Sequence, residues 1–393
     1  MKTSRAAVSS TILTIGIILA LVVGAVGGYF YGTSAPGSTV TKTINQTTTG
    51  GGTAGTDAPQ LAVLATDAAA ARAECGSQAT CLTVYSTVDG SDFTADMAPN
   101  FYQAFPWANG KVNWISTGAA KVTSMAISEH QAGNVVGDLL VVTLGIAYPV
   151  ILAGAVQNYT SPMGPLVNAT VATGGADPHG AWYLSFISVP VIQYNPQQLQ
   201  SLSLPTPKSW SDLGNPVYKG HIGFQTAVSL SASTGIFYYL FQQMGNSSWT
   251  SLMKAIAANQ PVITSSASAT TDNIVTGKVA LGIGLYNDYL SAHATSPSTM
   301  GYVSPPPNVY NPGVSVLTKG NHQAMAKLME DWLMSNMGAQ AYAETARLPS
   351  NPAVGDIFGL HPPGTTLVNS YTNPAILQNP SKWTALFKNI YGS

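Results

Sequence analysis

Apolar positions along the 393-residue chain fall into short runs separated by stretches of helical period. LTVYS, from Leu82 to Ser86, is followed by FTADMAPNFYQAF, in which Phe93, Met97, Phe101 and Phe105 recur every fourth residue and form one stripe. VNWIS comes next, then the helical stretch AKVTSMAISEHQAG, then DLLVV. Strand, helix and strand at about thirty residues per unit is the mark of parallel βαβ connections and so of the α/β class. Further along, Met325, Leu328, Met329, Trp332 and Leu333 lie on one helix face, with Asn321 as the expected cap before it. SKWTALFKNIY near the end reads as a closing helix.

The first sixty residues follow another pattern. No charged residue occurs between Arg5 and Lys42, and TILTIGIILALVVGAVGGYFYG is long enough to cross a bilayer as a helix. Lys2 and Arg5 precede it, which favours an inside N-terminus and an exported remainder. Residues 1–32 therefore read as a signal or membrane anchor, either cleaved or retained, and this segment resembles archaeal pilin-like signals. Gly24, Gly28 and Gly32 are spaced as a helix-pairing face would be. Residues 33–59 are almost wholly Thr, Gly and Ser and read as a linker. Residues 60–81 form an N-terminal extension holding the two cysteines, Cys75 and Cys81, whose natural reading outside the cytoplasm is a local disulfide. Asn45, Asn158, Asn168 and Asn246 each begin an Asn-x-Ser/Thr sequon.

Composition narrows the function. Hydrophobic residues make up 45% of the chain, charged residues only 8%, and the formal net charge is −1. Without a basic footprint, nucleic acid is excluded as a partner. A surface of hydroxyls and amides suits an acidic exterior. No G-x-S-x-G and no H-E-x-x-H occurs, and the six histidines stand apart without metal-ligand spacing, so the chain reads as no enzyme. Asp177, Pro178 and His179 read as a turn.

Candidate chemistry gathers where strands end. STVDGSD follows the first strand and STGAAK the second, and both lead into helices. A third hydroxyl-rich stretch, Ser229 to Thr234, opens a helix after the strand GHIGF. Ser86, Thr87, Thr117, Gly118, Ser233 and Thr234 serve either as helix caps or as part of a cradle for an oxygen-rich ligand.

These segments resemble a family: the extracellular solute-binding proteins of ABC importers, in the group of ferric-iron, thiamine, polyamine and phosphonate binders. LTVYSTVDGSDF resembles its first strand, and AGNVVGDLLVV its Asp-headed third strand. VPVIQYNPQQL, with Tyr194 and Asn195, is similar to its crossover. The most specific match is PKSWSDLGNPVYKGHIGF, through Pro207, Trp210, Leu213, Pro216, Tyr218, Lys219 and Gly220. TGKVALGIG and PGVSVLTKGNHQAMAKLMEDWLMSNMGAQ follow in family order.

The resemblance implies a two-lobed periplasmic-binding-protein-like (type II) α/β fold. Lobe 1 takes residues 82–185 and 300–346, lobe 2 residues 190–292 and 347–393, and the ligand sits between them, captured by hinge closure. Expected ligand contacts are Ser86, Thr87, Asp89, Thr117, Gly118, Ser233, Thr234, Tyr286, Asp288 and Tyr289. For ferric iron the metal ligands would be Tyr286 and Tyr289, although the family's adjacent tyrosine pair is here split by Asn287 and Asp288. An oxyanion-bearing solute, such as a phosphonate or phosphate ester, ranks level with iron, and a cationic solute held by Asp89 or Asp288 stands behind them. No cofactor is implied beyond iron as cargo. The partners would be an ABC permease and ATPase and, through residues 1–32, the membrane, with the protein on its outer face. The rival readings are a surface filament or surface-layer protein and, further off, an extracellular hydrolase.

Overall fold

A computed structural model describes residues 57–168, 176–227, 231–306, 308–354, 367–371 and 377–392. The expected anchor at 1–32 and most of the linker at 33–59 lie outside the described residues, as do Asn45 and Ser229. Among the described residues no helix is long and apolar enough to cross a membrane.

Helix α1 (Ala58–Cys75) precedes the first strand, and a disulfide joins Cys75 to Cys81 across a Cα–Cα distance of 5.4 Å. Strands β1 (Leu82–Ser86), β2 (Val112–Ser116) and β3 (Leu139–Thr143) are parallel, in register Leu82 with Val112 and Val84 with Leu139. Between β1 and β2 runs one wide π turn, Phe93–Met97, continued by α2 (Ala98–Ala104). That wide turn offsets the drift of a strict four-residue spacing against 3.6 residues per turn, and Phe93, Met97, Phe101 and Phe105 are all buried. Helix α3 (Ala119–Ala132) links β2 to β3 and stops at Gly133 (φ 66°), whose left-handed backbone returns its N–H to Glu129 and His130. Helices α4 (Leu144–Leu152) and α5 (Gly164–Asn168) follow, then β4 (Tyr183–Ser188).

After β4 the chain crosses through Val189 alone into β5 (Pro190–Tyr194) of a second sheet. Helix α6 (Pro196–Ser201) follows, capped by the Asn195 side chain. Next come β6 (Ile222–Gln225), α7 (Gly235–Ala258), β7 (Val262–Thr264), α8 (Ala267–Val275), β8 (Leu281–Leu285), α9 (Tyr286–Thr295) and β9 (Gly301–Val303). The second sheet runs β7-β6-β8-β5-β9, with β6, β7 and β8 parallel and β5 antiparallel to β8 and β9. The chain returns through β10 (Val309–Leu317), a nine-residue strand antiparallel to both β3 and β4, buried along its whole length. Helices α10 (Gln323–Met334) and α11 (Asn336–Glu344) cover that sheet, β11 (Leu348–Pro349) joins its edge, β12 (Val368–Asn369) pairs with β10, and α12 (Pro380–Tyr391) closes the chain.

The fold is thus the expected two-lobed α/β arrangement, with boundaries that shift. Gly301–Val303, assigned from the sequence to the first lobe, pairs with β5 in the second sheet. Leu348–Pro349 and Val368–Asn369, assigned to the second lobe, pair with β4 and β10 in the first. Two- and three-residue strands are too short for any pattern to name their sheet. The apolar face of α10 is as expected, with Met325, Leu328, Met329, Trp332 and Leu333 fully buried. Its cap is not Asn321: the Glu74 carboxylate of α1 accepts from the N–H groups of Ala324 (3.1 Å) and Met325 (3.0 Å). A full negative charge at a helix N-terminus meets orphan donors and macrodipole together.

Helix α12 does pack on the second lobe. Phe387, fully buried, lies 5.9 Å from the Tyr238 ring and 5.6 Å from Trp249, and Trp383 stands edge-on to Phe241 at 4.7 Å. Phe387→Ala is expected to lower the unfolding free energy by about 3–5 kcal/mol, read as a drop in the denaturant midpoint. A loss within experimental error would show that α12 is not part of the core.

Candidate functional site

Polar groups gather at the strand ends of both sheets, and they divide into those already committed and those left open. Ser86 is committed: its Oγ donates to the Val141 carbonyl (2.7 Å) and accepts from the Val88 N–H (2.9 Å), and the side chain is fully buried. Its carbonyl accepts from the Thr117 N–H at 3.0 Å, which ties the end of β1 to the end of β2. Thr87 and Thr117 are half-buried and Gly118, at the start of α3, is exposed.

In the second lobe Ser233 Oγ donates to Gln225 Oε1 (3.1 Å), and Thr234 Oγ1 lies 2.6 Å from Ser231 Oγ. Both residues are buried, and among the described residues their hydrogen bonds stay within that lobe. Of the hydroxyls that read as a cradle from sequence, those of Ser86, Ser233 and Thr234 bond within the turns in which they sit. Tyr238, fully buried among Tyr371, Trp383 and Phe387, is core. Asp177 and His179 form the expected turn, with the His179 N–H donating to Asp177 Oδ2 (2.8 Å).

The carboxylates behave differently. Asp288 stands in the first turn of α9, directly after β8, with one oxygen accepting from Asn287 Nδ2 (2.8 Å) and the other buried without a partner among the described residues. Burial pushes its pKa up to about 7; Arg347 opposes that rise, while Asp89, Asp92 and Asp272 add to it. Asp89, exposed in the turn after β1, is also raised, first by desolvation and then by Asp92, with Arg347 opposing and Asp272 adding. Asp89, Asp92 and Arg347 belong to the first lobe, Asp272 on α8 and Asp288 to the second. Four carboxyls and one guanidinium drawn from both lobes thus act on one another electrostatically, and that guanidinium donates to Asp92 Oδ2 at 2.6 Å.

Beside Asp288 the rings of Tyr286, Tyr289 and Tyr302 pack together, with centroids 5.7 Å apart for Tyr286 and Tyr289, 5.0 Å for Tyr286 and Tyr302, and 4.5 Å for Tyr289 and Tyr302. Burial and the neighbouring Tyr302 and Tyr194 raise the Tyr289 hydroxyl above its ordinary value. Tyr286 is buried, while Tyr289 and Tyr302 are half-buried. Among the described residues no three His, Cys, Asp or Glu side chains converge as metal ligands do.

Asp89, Tyr286, Asp288 and Tyr289 are expected from the sequence as ligand contacts, and the structure adds Asp92, Asp272, Tyr302 and Arg347 as their neighbours. The overlooked signal was scarcity: with charge at 8%, an Arg buried to 7% exposure marks a place where acids meet.

The comparisons agree with this architecture. Residues 148–363, more than half the chain, match the family model for bacterial extracellular solute-binding proteins, and the chain belongs to that family. It is a solute-binding protein rather than an enzyme. No curated protein matches it. Among solved structures it is similar to the periplasmic binding protein AfuA from Actinobacillus pleuropneumoniae with fructose-6-phosphate bound, at 18% identity and TM-score 0.70, over 79% of this chain and 98% of that one. It is also similar to iron-bound HitA from Pseudomonas aeruginosa, at 19% identity and TM-score 0.62, over 79% and 99%. A third is Trichodesmium IdiA (FutA) in complex with iron and citrate, at 18% identity and TM-score 0.59, over 79% and 98%. These likenesses fix the two-lobed periplasmic-binding-protein fold.

The raised Asp288 gives a pH signature. Between the ordinary carboxyl value near 4 and about 7 the folded protein holds a proton that the unfolded chain has lost, so this group's contribution to stability falls as pH rises through that window. Chemical denaturation of Asp288→Asn should show a shallower decline from about pH 4.5 to about pH 7.5 than the parent protein. An identical decline would place the Asp288 carboxyl in a solvated setting.

Proposed function

We propose that this chain is the solute-capturing component of an ABC importer and that its cleft takes a solute carrying positive charge, of the organic cation class. The observation that carries this reading is the imbalance of charge between the lobes, where Asp89, Asp92, Asp272 and Asp288 face one guanidinium already paired with Asp92. A cation entering there lowers the cost of ionising Asp288 and supplies the partner its second oxygen lacks. Tyr289 and Tyr302 offer half-buried aromatic faces beside it, a surface suited to an alkylated or amine cation. Ferric iron is the second reading, favoured by the adjacency of Tyr286 and Tyr289 and by the iron in two of the similar structures. A phosphate ester or phosphonate is disfavoured, because the hydroxyls of Ser86, Ser233 and Thr234 already bond within the protein and the carboxyls outnumber the one guanidinium beside them in this electrostatic group.

Closure of the lobes on the solute would present it to a permease driven by an ATPase, with residues 1–32 holding the protein at the outer face of the membrane and residues 33–59 acting as tether.

A thermal-shift series on the full-length protein tests this. Spermidine and thiamine, used as cation probes, are expected to raise Tm, whereas fructose-6-phosphate and inorganic phosphate leave it unchanged. Asp89→Asn or Asp288→Asn should weaken cation binding about tenfold, equivalent to about 1.4 kcal/mol. Stabilisation by the phosphate compounds but not by the cations would overturn the reading, and a shift with ferric iron alone would promote the second one.

A further inference from the structure

On the first lobe's outer side, α1 lies along α10, fastened at both ends. At its C-terminal end are the Cys75–Cys81 disulfide and the Glu74 cap on Ala324 and Met325. At its start, Gln60 Oε1 accepts from the Asn336 N–H (2.9 Å) and Asp57 Oδ1 from Asn336 Nδ2 (2.6 Å). Between these fastenings sits a group of carboxyls. Asp331 of α10 is fully buried, its Oδ2 accepting from the Tyr159 hydroxyl at 2.7 Å and its Oδ1 from the Ser161 hydroxyl. The Asp67 carboxyl of α1 lies beside that of Asp331, and one of its oxygens is buried with no donor facing it among the described residues. Glu330, the adjoining residue, is 1% exposed, with Oε2 likewise unpartnered. Lys327 stands 4.9 Å over the Tyr159 ring, and neither ion pair found among the described residues involves these acids.

Two neighbouring carboxylates are both acceptors and repel each other when ionised, so holding Asp67 beside Asp331 calls for a proton on one of them. We infer that α1 is an acid-locked strap: a proton shared between Asp67 and Asp331 holds it on α10, and its N-terminal half releases when that proton leaves.

The charged and titratable groups facing the pair are Lys327 and Glu330 from α10, Tyr159 from the segment before α5, and Tyr183 from β4. Of these only Lys327 favours ionised acids, and burial outweighs it: Asp67 and Glu330 are raised, and Asp331 is pushed up to about 7 even though Ser161 and Tyr159 donate to it. With the folded values above the unfolded ones, the docked state holds more protons than the free one from about pH 4 to about 7. Docking therefore weakens as pH rises through that window. The disulfide keeps the C-terminal end of α1 in place, so release is confined to residues ahead of Asp67. This inference is independent of the solute.

Hydrogen exchange on the full-length protein, normalised to the intrinsic peptide rate at each pH, reads the strap directly. Protection of residues 58–66 should fall about tenfold or more between about pH 5 and about pH 8, while that of α12 stays level. Asp67→Asn supplies an amide donor to Asp331 at any pH, so its protection of residues 58–66 should be flat; Asp331→Asn serves as a second variant with the same expectation. Flat protection in the parent protein would overturn the inference, as would a fall of the same size in the Asn variants.

Discussion

A carboxylate taken out of water must be met by donors, by a cation or by a proton, and the polar organisation of this molecule follows from which of the three each one receives. Where backbone donors meet the acid, it builds structure. Asp138, 1% exposed, accepts from the N–H groups of Thr83 (2.9 Å) and His322 (3.1 Å), so one side chain joins β1, β3 and the entrance to α10. Glu129 accepts from the N–H groups of Val136 and Gly137 and from the Tyr85 hydroxyl, which shapes the turn from α3 into β3. Asp212, its pKa held low chiefly by the Lys208 N–H, fixes the turn that begins at Ser209. Where a cation meets the acid, as at Asp92 with Arg347, an ion pair ties the start of the β1–β2 connection to the chain after α11. Where the donors are too few to offset burial, the carboxyl is pushed up to about 7, as at Asp288 after β8 and Asp331 under α1.

That division explains why the architecture was legible in the chain while the site was legible only in part. Strand runs, the stripe from Phe93 to Phe105 and the apolar face of α10 repeat a pattern over many residues, and burial is the one force behind all of them. Ser86, Ser233 and Thr234 carry no such repetition. A hydroxyl at a strand end has the same spelling whether it binds a solute or caps its own turn, and only the paths of the Val141 carbonyl and the Gln225 side chain show that these two serines are spent on the fold. Asp272 and Arg347 lie 75 residues apart, and nothing local marks them as facing each other.

The short edge strands show the same limit. Gly301–Val303 takes its place from the neighbouring Gln193 and Tyr194, and Leu348–Pro349 from Phe186 and Ile187, so their lobes are set by tertiary pairing. The cap of α10 is likewise supplied from α1, roughly 250 residues earlier, where no rule of adjacent sequence could place it. A chain with 8% charged residues spends its acids at such long-range junctions, and this is why those few positions carry both the fold's fastenings and its candidate chemistry.

The central claim is the sign of charge on the solute. The most direct measurement is to purify the full-length protein without denaturant, release whatever it carries by unfolding, and identify the released molecule by mass spectrometry. A small molecule with net positive charge, present in near-equal amount to the protein and lost in Asp288→Asn, is the result predicted here. A phosphate ester, phosphonate or other anion in that amount would contradict it.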